Sequence, residues 1–357
     1  MNAATPTVSY LLEDTAIFGG VKVALHHANL LTARGWDVTV VSPGPPPDWY
    51  PLRARFQRVA SLADGTVPAA DVTVATYWTT LAAACRVPRT QVLHFCQGYE
   101  GSFTHNVREH EAIAEAYSAP LPAMVVAPHL AELLRARFGR PAYVVPDPLE
   151  PLWRAGFRLR PRRVPRILVA NPFEIDWKGV RTGLEAVRSL REGGVLCSLV
   201  RLSQWPLGDA ERQLLEPDEF HHGLTPPQVA RLMRGCDLLL APSWEAEGFG
   251  LPVVEAMACG VPVVASDIAA FRYTTAGAAR LVPPADAEAF AAAAREVLAT
   301  PNRWREMRRL GATAAGRFLE SRVVSTLEEC LAWAAGGGWK NELASLGDRA
   351  ELREALK

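Results

Sequence analysis

The sequence lacks several features that would assign it to a special class of protein. Lys and Arg together number 38, as do Asp and Glu, so the 357-residue chain has no net charge to attract nucleic acid or an anionic membrane. No uninterrupted apolar stretch reaches the ~18 residues that a membrane-spanning helix requires. No positive charge precedes the first apolar run, so we expect no signal peptide.

Cysteine is also sparse. The six cysteines form no C-x-x-C pair, and none stands with histidines at the spacing of a zinc site. Scattered cysteines are typical of reduced, buried thiols, from which we expect a cytoplasmic protein. Hydrophobic residues make up 49% of the chain and charged residues 21%, which is the composition of an ordinary globular protein. The length predicts two domains.

Short apolar runs alternate with helical patterns, which favours parallel α/β sheets. The first helix is predicted from the residues after Gly19 and Gly20 through Arg34, and it ends at Gly35. Strands are predicted in the first half at 7–12, 37–42, 71–76, 91–96, 123–127 and 142–145. In the second half they are predicted at 166–170, 195–200, 236–241 and 261–266. Their apolar character on both faces is typical of buried parallel strands.

One segment interrupts this pattern. Residues 146–165 are rich in proline and arginine, which indicates an interdomain linker. We therefore predict two Rossmann-like domains, residues 1–155 and 156–320, followed by helices over 321–357. Ligands of such sheets bind beyond the carboxyl ends of the strands, so a deep cleft between the two sheets is the expected site.

The most informative stretch, residues 241–267, reads APSWEAEGFGLPVVEAMACGVPVVASD. Its glycines, Gly248 and Gly250, let the backbone approach a ligand closely. Pro252 suits the first turn of a helix, whose N-terminal amides suit a diphosphate. Those amides belong to Phe249, Gly250 and Leu251.

Two acidic residues flank this predicted anion site. Glu247 and Glu255 accept hydrogen bonds and therefore suit hydroxyl groups better than phosphate. Seven residues separate them, as in the E-x7-E motif of family 4 retaining glycosyltransferases, and residues 247–267 are similar to that family almost residue by residue. The resemblance implies a GT-B fold, with Glu247 on the donor-sugar hydroxyls and Glu255 on the ribose. The alternative is a helix start whose acids only favour the helix dipole.

Weaker matches extend the resemblance over most of the chain. Gly19 and Gly20 resemble the family's glycine loop near the donor phosphates, although they also fit an ordinary tight turn. Lys178 resembles the family's phosphate-binding lysine, and its alternative is a solvated surface side chain. The segment that leads into the motif resembles the family too, which implies that His222 and Gly223 lie near the nucleotide base.

The sequence departs from the family at three places. Asn171 stands where the family usually has an arginine that shares the diphosphate, and Arg201 is a candidate to supply the missing charge. Gln97 stands where many members have a histidine near the reacting sugar, although the stretch QGYE is similar to rhamnosyl and related transferases. Residues 268–273 replace the family's glycines and glutamate below the donor sugar, so the sugar itself stays open.

The resemblance implies a metal-independent hexosyltransferase that retains the donor's anomeric configuration. It would move a sugar from a nucleoside-diphosphate sugar to a hydroxyl of a saccharide, glycan or small natural product, with Glu247, Lys178 and Gln97 as catalytic residues. No cofactor other than the donor and no metal are expected. An inverting enzyme would instead need a base, for which His26 and His27 are the candidates, whereas His94 is predicted to pack inside a strand.

The sequence indicates only some properties of the binding partners. We expect no nucleic acid, and residues 1–150 carry slightly more acidic than basic residues, which favours a soluble acceptor over a membrane-embedded one. The oligomeric state stays open. An alternative function is a catalytically silent sugar-nucleotide-binding protein or partner subunit. Five aromatic residues could form an acceptor platform or simply pack in the core: Tyr77, Trp78, Phe95, Tyr99 and Phe103.

Overall fold

A computed structural model of the chain describes residues 6–64 and 66–347. They form two compact units. Unit 1 consists of the described residues of Met1–Ser102, Asn106–Pro148 and Glu320–Lys357, and unit 2 of Phe103–His105 and Leu149–Leu319. The part of the predicted C-terminal helical segment beyond residue 347 lies outside the described residues.

The described residues contain two parallel sheets, one in each unit. In chain order the strands are β1 Thr7–Leu11, β2 Asp37–Ser42, β3 Arg55–Arg58, β4 Val72–Ala75, β5 Gln91–Cys96, β6 Ala123–Val125, β7 Ala142–Val144, β8 Arg166–Ala170, β9 Ser198–Ser203, β10 Glu219–His222, β11 Leu238–Ala241, β12 Val263–Ser266 and β13 Arg280–Val282. The order in unit 1 is β3-β2-β1-β4-β5-β6-β7, and in unit 2 it is β10-β9-β8-β11-β12-β13. Every pairing is parallel, as the predicted Rossmann-like domains require.

Helices connect the strands. They are α1 Gly19–Ala33, α2 Trp78–Arg86, α3 His110–Tyr117, α4 Pro128–Phe138, α5 Val180–Glu192, α6 Asp209–Leu214, α7 Pro226–Arg234, α8 Leu251–Ala258, α9 Ala269–Thr275, α10 Ala287–Ala299, α11 Pro301–Ala315, α12 Glu320–Ala335 and α13 Trp339–Gly347. The prediction for α1 is confirmed, since the helix stops just before Gly35, whose φ of 89° suits glycine. Helix α12 packs on α1 within unit 1, where Arg34 pairs with Glu328 at 3.0 Å.

The ten predicted strands all exist, with ends that shift by up to three residues. Three further strands were missed: β3, β10 and β13. Each of them is at an edge of its sheet and is three or four residues long with partly exposed side chains. An edge strand packs on fewer neighbours than a central one, so it needs no continuous apolar run.

The predicted linker contains neither a helix nor a named strand. From Leu149 onwards it belongs to unit 2, where Arg158 and Arg162 both pair with the fully buried carboxylate of Asp237. Trp304, also fully buried, donates from Nε1 to the Asp237 carbonyl oxygen at 2.8 Å. The arginines that marked the linker in the sequence therefore fasten it to the second sheet.

Candidate functional site

The turn between β11 and α8 has a shape that only glycine accommodates. Gly250 precedes the helix with a φ of 87°, and a Cβ atom there would lie 2.4 Å from Cε1 of Phe271. Gly250 has no side chain to cap the helix, and Pro252 has no N–H. Val253 donates to the Gly250 carbonyl oxygen at 2.9 Å, so Leu251 carries the first amide of α8 that a ligand could use. Such an uncapped helix start is suited to bind an anion.

The buried side chain of Phe249 anchors this turn in the core of unit 2. Its side chain is 3% exposed and packs edge-on against the rings of Phe318, at 5.1 Å between centroids, and Tyr273. The side chain is therefore committed to the core, and Phe249 could contact a ligand only through its backbone. That the backbone of this loop binds a ligand stays a prediction.

Lys178 and Glu247 form a buried ion pair beside that turn. The Nζ atom lies 2.8 Å from Oε2 and 3.1 Å from Oε1 of Glu247, and the side chains are 16% and 7% exposed. The sequence predicted both residues separately, and the structure brings them together. The alternative of a solvated surface lysine is excluded by this burial.

The backbone explains why the two residues meet. Gly179, with a φ of 65°, lies so close to Pro242 that a Cβ atom would be 2.0 Å from the Pro242 carbonyl oxygen. The amide of Trp244 donates to the carbonyl oxygen of Trp177 at 2.8 Å. The turn after β8 is thus fastened to the loop after β11, the neighbouring strand of the sheet.

Glu255 lies in the second turn of α8 and is 8% exposed. It therefore lies on the same short helix whose first turn follows the glycine loop. Of the two acids in the motif, Glu247 contacts Lys178, and Glu255 is placed farther along the helix. The two carboxylates are consequently held on different elements, as two different hydroxyl partners would require.

Arg201 does not supply the charge that Asn171 lacks, so that expectation is wrong. Its side chain is fully buried, pairs with Glu211 at 2.5 Å and donates to the carbonyl oxygens of Val169, Leu202 and Asn171. Every terminal nitrogen of the guanidinium therefore has a protein acceptor. Arg201 instead stabilises the turn at Asn171, whose φ of 88° is rare outside glycine.

His222 and Gly223 follow the edge strand β10 of unit 2. His222 is exposed and lies in register with Ser203, at the end of β9. Gly223 has a φ of 63°. Both residues lie at the carboxyl ends of the strands, as Asn171 and Lys178 do, and their contact with a nucleotide base stays a prediction.

In unit 1, Gln97 meets the glycine pair. Its Nε2 donates to the Gly20 carbonyl oxygen at 3.2 Å, and a Cβ atom on Gly20 would lie 3.0 Å from that nitrogen. Gly19 and Gly20 open helix α1, and Gln97 follows β5. Three residues predicted from separate parts of the sequence therefore lie side by side.

A buried polar cluster supports the turn that carries Gln97. The Tyr117 hydroxyl donates to the Glu100 carboxylate and lies 3.2 Å from the Gly98 carbonyl oxygen, to which Cys96 Sγ also donates. Glu100 is 4% exposed, and this burial raises its pKa to about 7. These contacts fix the path of residues 97–100.

Three histidines of unit 1, His26, His27 and His94, are structural. His94 is fully buried within β5, where its ring contacts Tyr117 and its Nδ1 lies 3.2 Å from Arg140, as predicted. His27 is fully buried against Phe95, and burial lowers its pKa to about 3. His26 contacts Glu320 at 2.9 Å. The two candidate bases of an inverting enzyme are therefore enclosed within unit 1.

Of the five aromatic residues that could form an acceptor platform or pack in the core, two are core residues. Phe95 and Tyr99 are buried in unit 1, whereas Phe103 belongs to unit 2. There the Phe103 ring stacks on Trp177 at 5.0 Å between centroids, with 10° between the planes. Trp177 was not predicted, because a single tryptophan before a lysine carries no recognisable pattern.

Two features are absent from the described residues: a metal-binding cluster and a membrane-spanning helix. No group of three or more His, Cys, Asp or Glu side chains at positions 6–64 and 66–347 is placed to hold a metal ion. Over the same part of the chain, no helix is long and apolar enough to cross a membrane.

Comparison with known sequences identifies the same region. Residues 164–300 match the family model described as glycosyl transferases group 1. The chain is 37% identical over 164 residues to the MMP α-(1→4)-mannosyltransferase of Mycolicibacterium hassiacum, covering 43% of this chain and 39% of the relative. It is 33% identical over 179 residues to the D-inositol 3-phosphate glycosyltransferase of Segniliparus rotundus, covering 48% and 37%. The chain thus matches less than half the length of these relatives.

Solved structures extend the likeness to nearly the whole chain. Sucrose-phosphate synthase from Thermosynechococcus elongatus superposes with a TM-score of 0.74 at 17% identity, covering 91% of this chain and 98% of that one. Anabaena HepE in complex with UDP-glucose gives 0.72 at 14% identity, covering 91% and 99%. At such identities the likeness establishes the fold alone. Residues 164–300 therefore resemble the glycosyl transferases group 1, in agreement with the sequence-based resemblance, and the chain has the GT-B fold.

Proposed function

We propose that the chain is a glycosyltransferase that moves a sugar from a nucleoside-diphosphate sugar to a hydroxyl acceptor, with retention and without a metal. One observation carries the proposal: a buried lysine–glutamate pair, Lys178–Glu247, lies beside an uncapped helix start. A cation with free amides suits a diphosphate, and a carboxylate next to it suits sugar hydroxyls. A nucleoside-diphosphate sugar contains both groups next to each other.

In this proposal, each part of the donor is held by protein groups of matching chemistry. Lys178 and the amides of Phe249, Gly250 and Leu251 bind the diphosphate, and Asn171 adds a neutral donor. Glu247 accepts from the sugar hydroxyls and Glu255 from the ribose. Gly248 keeps the loop open, and His222 with Gly223 contacts the base. In unit 1, Gly19 and Gly20 lie near the donor, and Gln97 contacts the reacting sugar.

Catalysis would consist mainly of stabilising charge on the leaving diphosphate. The bond between the anomeric carbon and the diphosphate oxygen breaks, and the acceptor oxygen bonds to that carbon on the same face. The acceptor proton passes to the leaving phosphate. Preorganised donors aimed at developing charge usually supply the largest catalytic contribution. Lys178 and the amides of Phe249, Gly250 and Leu251 are proposed as such donors, because the fold positions them before the reaction.

The proposed metal independence is supported by the same groups that would bind the diphosphate. Mg²⁺ in proteins is usually held by one or two carboxylates beside substrate phosphates. Here Glu247 already pairs with Lys178, which supplies positive charge itself. Retention is supported by the enclosed positions of His26 and His27, since an inverting enzyme needs a base that reaches the acceptor.

A catalytically silent sugar-nucleotide-binding protein remains the second candidate. It is favoured by the neutral residues Asn171 and Gln97 at two places where the family usually carries basic or titratable ones. Calorimetric titration with a panel of nucleotide sugars, combined with a donor-hydrolysis assay, separates the two. Binding without any turnover against every acceptor would favour the silent protein.

The experiment that tests the proposal is a screen of nucleotide sugars and acceptors by mass spectrometry. The names of the relatives place mannose and glucose donors, and saccharides and inositol phosphates as acceptors, first in that screen. Activity should persist in EDTA, and NMR of the anomeric proton should show the donor's configuration in the product. Activity abolished by EDTA and restored by Mg²⁺ or Mn²⁺ would contradict metal independence. An inverted product would contradict retention.

A further inference from the structure

Trp177 precedes Lys178 in the turn Asp176–Lys178 and is 8% exposed. The Nζ atom of Lys178 lies 4.1 Å from the centroid of the Trp177 ring. The same ring stacks on Phe103, and the carbonyl oxygen of Trp177 accepts from Trp244. Trp177 thus contacts the proposed phosphate-binding lysine through its ring and the Glu247 loop through its backbone.

A lysine needs such support to act as a fixed charge. Its ammonium ends a flexible four-carbon chain, so without contacts it would occupy many positions. Glu247 restrains Nζ from one direction, but Glu247 is also proposed to bind the donor sugar. A ligand that engages the carboxylate weakens that restraint, whereas the aromatic face continues to attract the cation.

We infer that Trp177 is a positioning residue: its ring holds the Lys178 ammonium where the donor diphosphate binds, and Phe103 holds the ring. This inference rests on the proposed function, in which Lys178 binds the leaving diphosphate. The nearly parallel stack restricts rotation of the indole, since a tilted ring would lose its contact with Phe103. Phe103 therefore acts through Trp177 and needs no contact with the substrate.

The indole N–H suggests a different role, which the experiment must separate. Nε1 of Trp177 is buried and has no hydrogen-bond partner among the described residues. It could donate to the ligand, in which case the nitrogen and not the ring face would matter. Trp177→Phe keeps an aromatic face and removes the nitrogen, whereas Trp177→Leu removes both.

The test compares these variants by kcat, KM for the donor and the Kd for the nucleoside diphosphate. For Trp177→Leu we expect a roughly 10-fold loss in kcat and a similar rise in Kd, the scale of one desolvated cation–π contact. For Trp177→Phe we expect kcat and Kd to stay within about threefold of the wild type, because phenylalanine keeps an aromatic face but attracts cations more weakly than tryptophan. For Phe103→Ala we expect losses between those of the two Trp177 variants. This variant should add nothing in the Trp177→Leu background.

The chain contains a matched control. Trp339 and Lys340 repeat the Trp-Lys dipeptide in unit 1, where Lys340 is exposed and its Nζ lies 5.7 Å from the Trp339 ring centroid. Trp339→Leu should leave kcat, KM and Kd unchanged. A loss equal to that of Trp177→Leu would show that the measurements report general damage, which would overturn the positioning role.

The reference is Lys178→Ala. If that variant is fully active and binds the diphosphate normally, the proposed function of this site fails. If Lys178→Ala is impaired and Trp177→Leu matches the wild type, only the positioning role is overturned. Equal losses in Trp177→Phe and Trp177→Leu would also overturn it, in favour of hydrogen bonding by the indole. If Trp177→Leu fails to fold, Phe103→Ala alone must show both a loss in kcat and a rise in Kd.

Discussion

The two units carry the same kind of sheet but place different chemistry at their strand ends. In unit 2 the turns after β8 and β11 bring together two charged side chains, Lys178 and Glu247. In unit 1 the turns after β1 and β5 bring together a glycine carbonyl and the neutral amide of Gln97. A charged ligand group is therefore expected to be held by unit 2, and a neutral one to be oriented by unit 1.

Behind these turns the units differ in a second way. Unit 2 supports its turn with Arg201, whose guanidinium is paired with Glu211. Unit 1 supports its turn with Glu100 and Tyr117, whose ionisation burial makes unfavourable. The turn in unit 2 is thus supported by an ion pair, whereas the support in unit 1 includes a carboxyl group whose raised pKa of about 7 makes it respond to pH.

The largest effect is expected from Lys178→Ala. Loss of one preorganised donor to a leaving group usually lowers kcat by about 100- to 1000-fold. Glu247 would also be left buried without its partner, so urea unfolding should show a stability loss, of up to about 3 kcal/mol. From the sequence alone little loss would be expected, because the pair with Glu247 is not visible in it.

The double variant Lys178→Ala/Glu247→Gln separates the two consequences. It removes the unpaired charge, so stability should recover while turnover does not. Lys340→Ala is the control, since this lysine is exposed in unit 1. Wild-type turnover in Lys178→Ala would remove the contrast between a charged and a neutral unit.

Gly250→Ala should destabilise the chain far more than Gly20→Ala. At Gly250 the positive φ costs about 1–2 kcal/mol for alanine, and the clash with the Phe271 ring adds about 1–3 kcal/mol. At Gly20 the new methyl group meets only the flexible end of Gln97. Urea unfolding of both variants measures the difference.

Gly277→Ala isolates the backbone part of that cost. Gly277 has a φ of 82° and nothing within 4 Å of a new Cβ atom, so only the strain of about 1–2 kcal/mol remains. A loss in Gly250→Ala no greater than in Gly277→Ala would mean that the Phe271 contact does not constrain the loop.

The pH dependence of stability should identify Glu100. Its pKa is raised from 4.5 to about 7 in the folded chain. Below about pH 4.5 both states hold the proton, and the contribution is fully present. Between those values only the unfolded chain releases it, so stability falls as pH rises. Relative to Glu100→Gln, the wild type should lose up to about 3 kcal/mol between about pH 4.5 and pH 8.

Comparing the wild type with Glu100→Gln at each pH cancels the contributions of the other titrating groups, including the buried histidines, to the free energy of unfolding. A wild-type slope equal to that of Glu100→Gln would mean that Glu100 does not respond to pH as its burial predicts.

Glu255→Ala should weaken binding of the nucleoside diphosphate by about 1–3 kcal/mol, the usual cost of losing a hydrogen bond to a charged group. Isothermal titration measures it, with Glu245→Ala as the control, because Glu245 is an exposed acid of the loop that precedes α8. Unchanged affinity would remove Glu255 from the ribose role and leave Glu247 as the one acid of the motif that binds the donor.

The sequence predicted the central strands because both of their faces are buried, which forces continuous apolar runs. It missed β3, β10 and β13 because these three edge strands carry no such run, whereas it found the edge strand β7, whose residues are Ala-Tyr-Val. The glycine loop and its acids were predictable from short spacings and from family resemblance. The Lys178–Glu247 contact was not, since 69 positions separate the two residues. Arg201 was misassigned because its acceptors are carbonyl groups, which no residue type reveals.

The smallest effect is expected from Gln97→Ala. It removes one hydrogen bond between neutral groups, so the stability loss should be about 0.5–1.5 kcal/mol. Affinity for the nucleoside diphosphate should change less than about twofold, because the charged groups belong to unit 2. Turnover should fall, since Gln97 is proposed to contact the reacting sugar.

Two further variants decide whether the neutrality of this turn matters. Gln97→Glu keeps the shape but points an acceptor at the Gly20 carbonyl oxygen, so it should be less stable than Gln97→Ala. Gln57→Ala is the control, because Gln57 also donates to a backbone carbonyl in unit 1, at 3.1 Å. It should lose similar stability and no turnover. If Gln97→Ala instead lost as much diphosphate affinity as Lys178→Ala, the anion would depend on both units, and the division of charge between them would not describe how the donor is held.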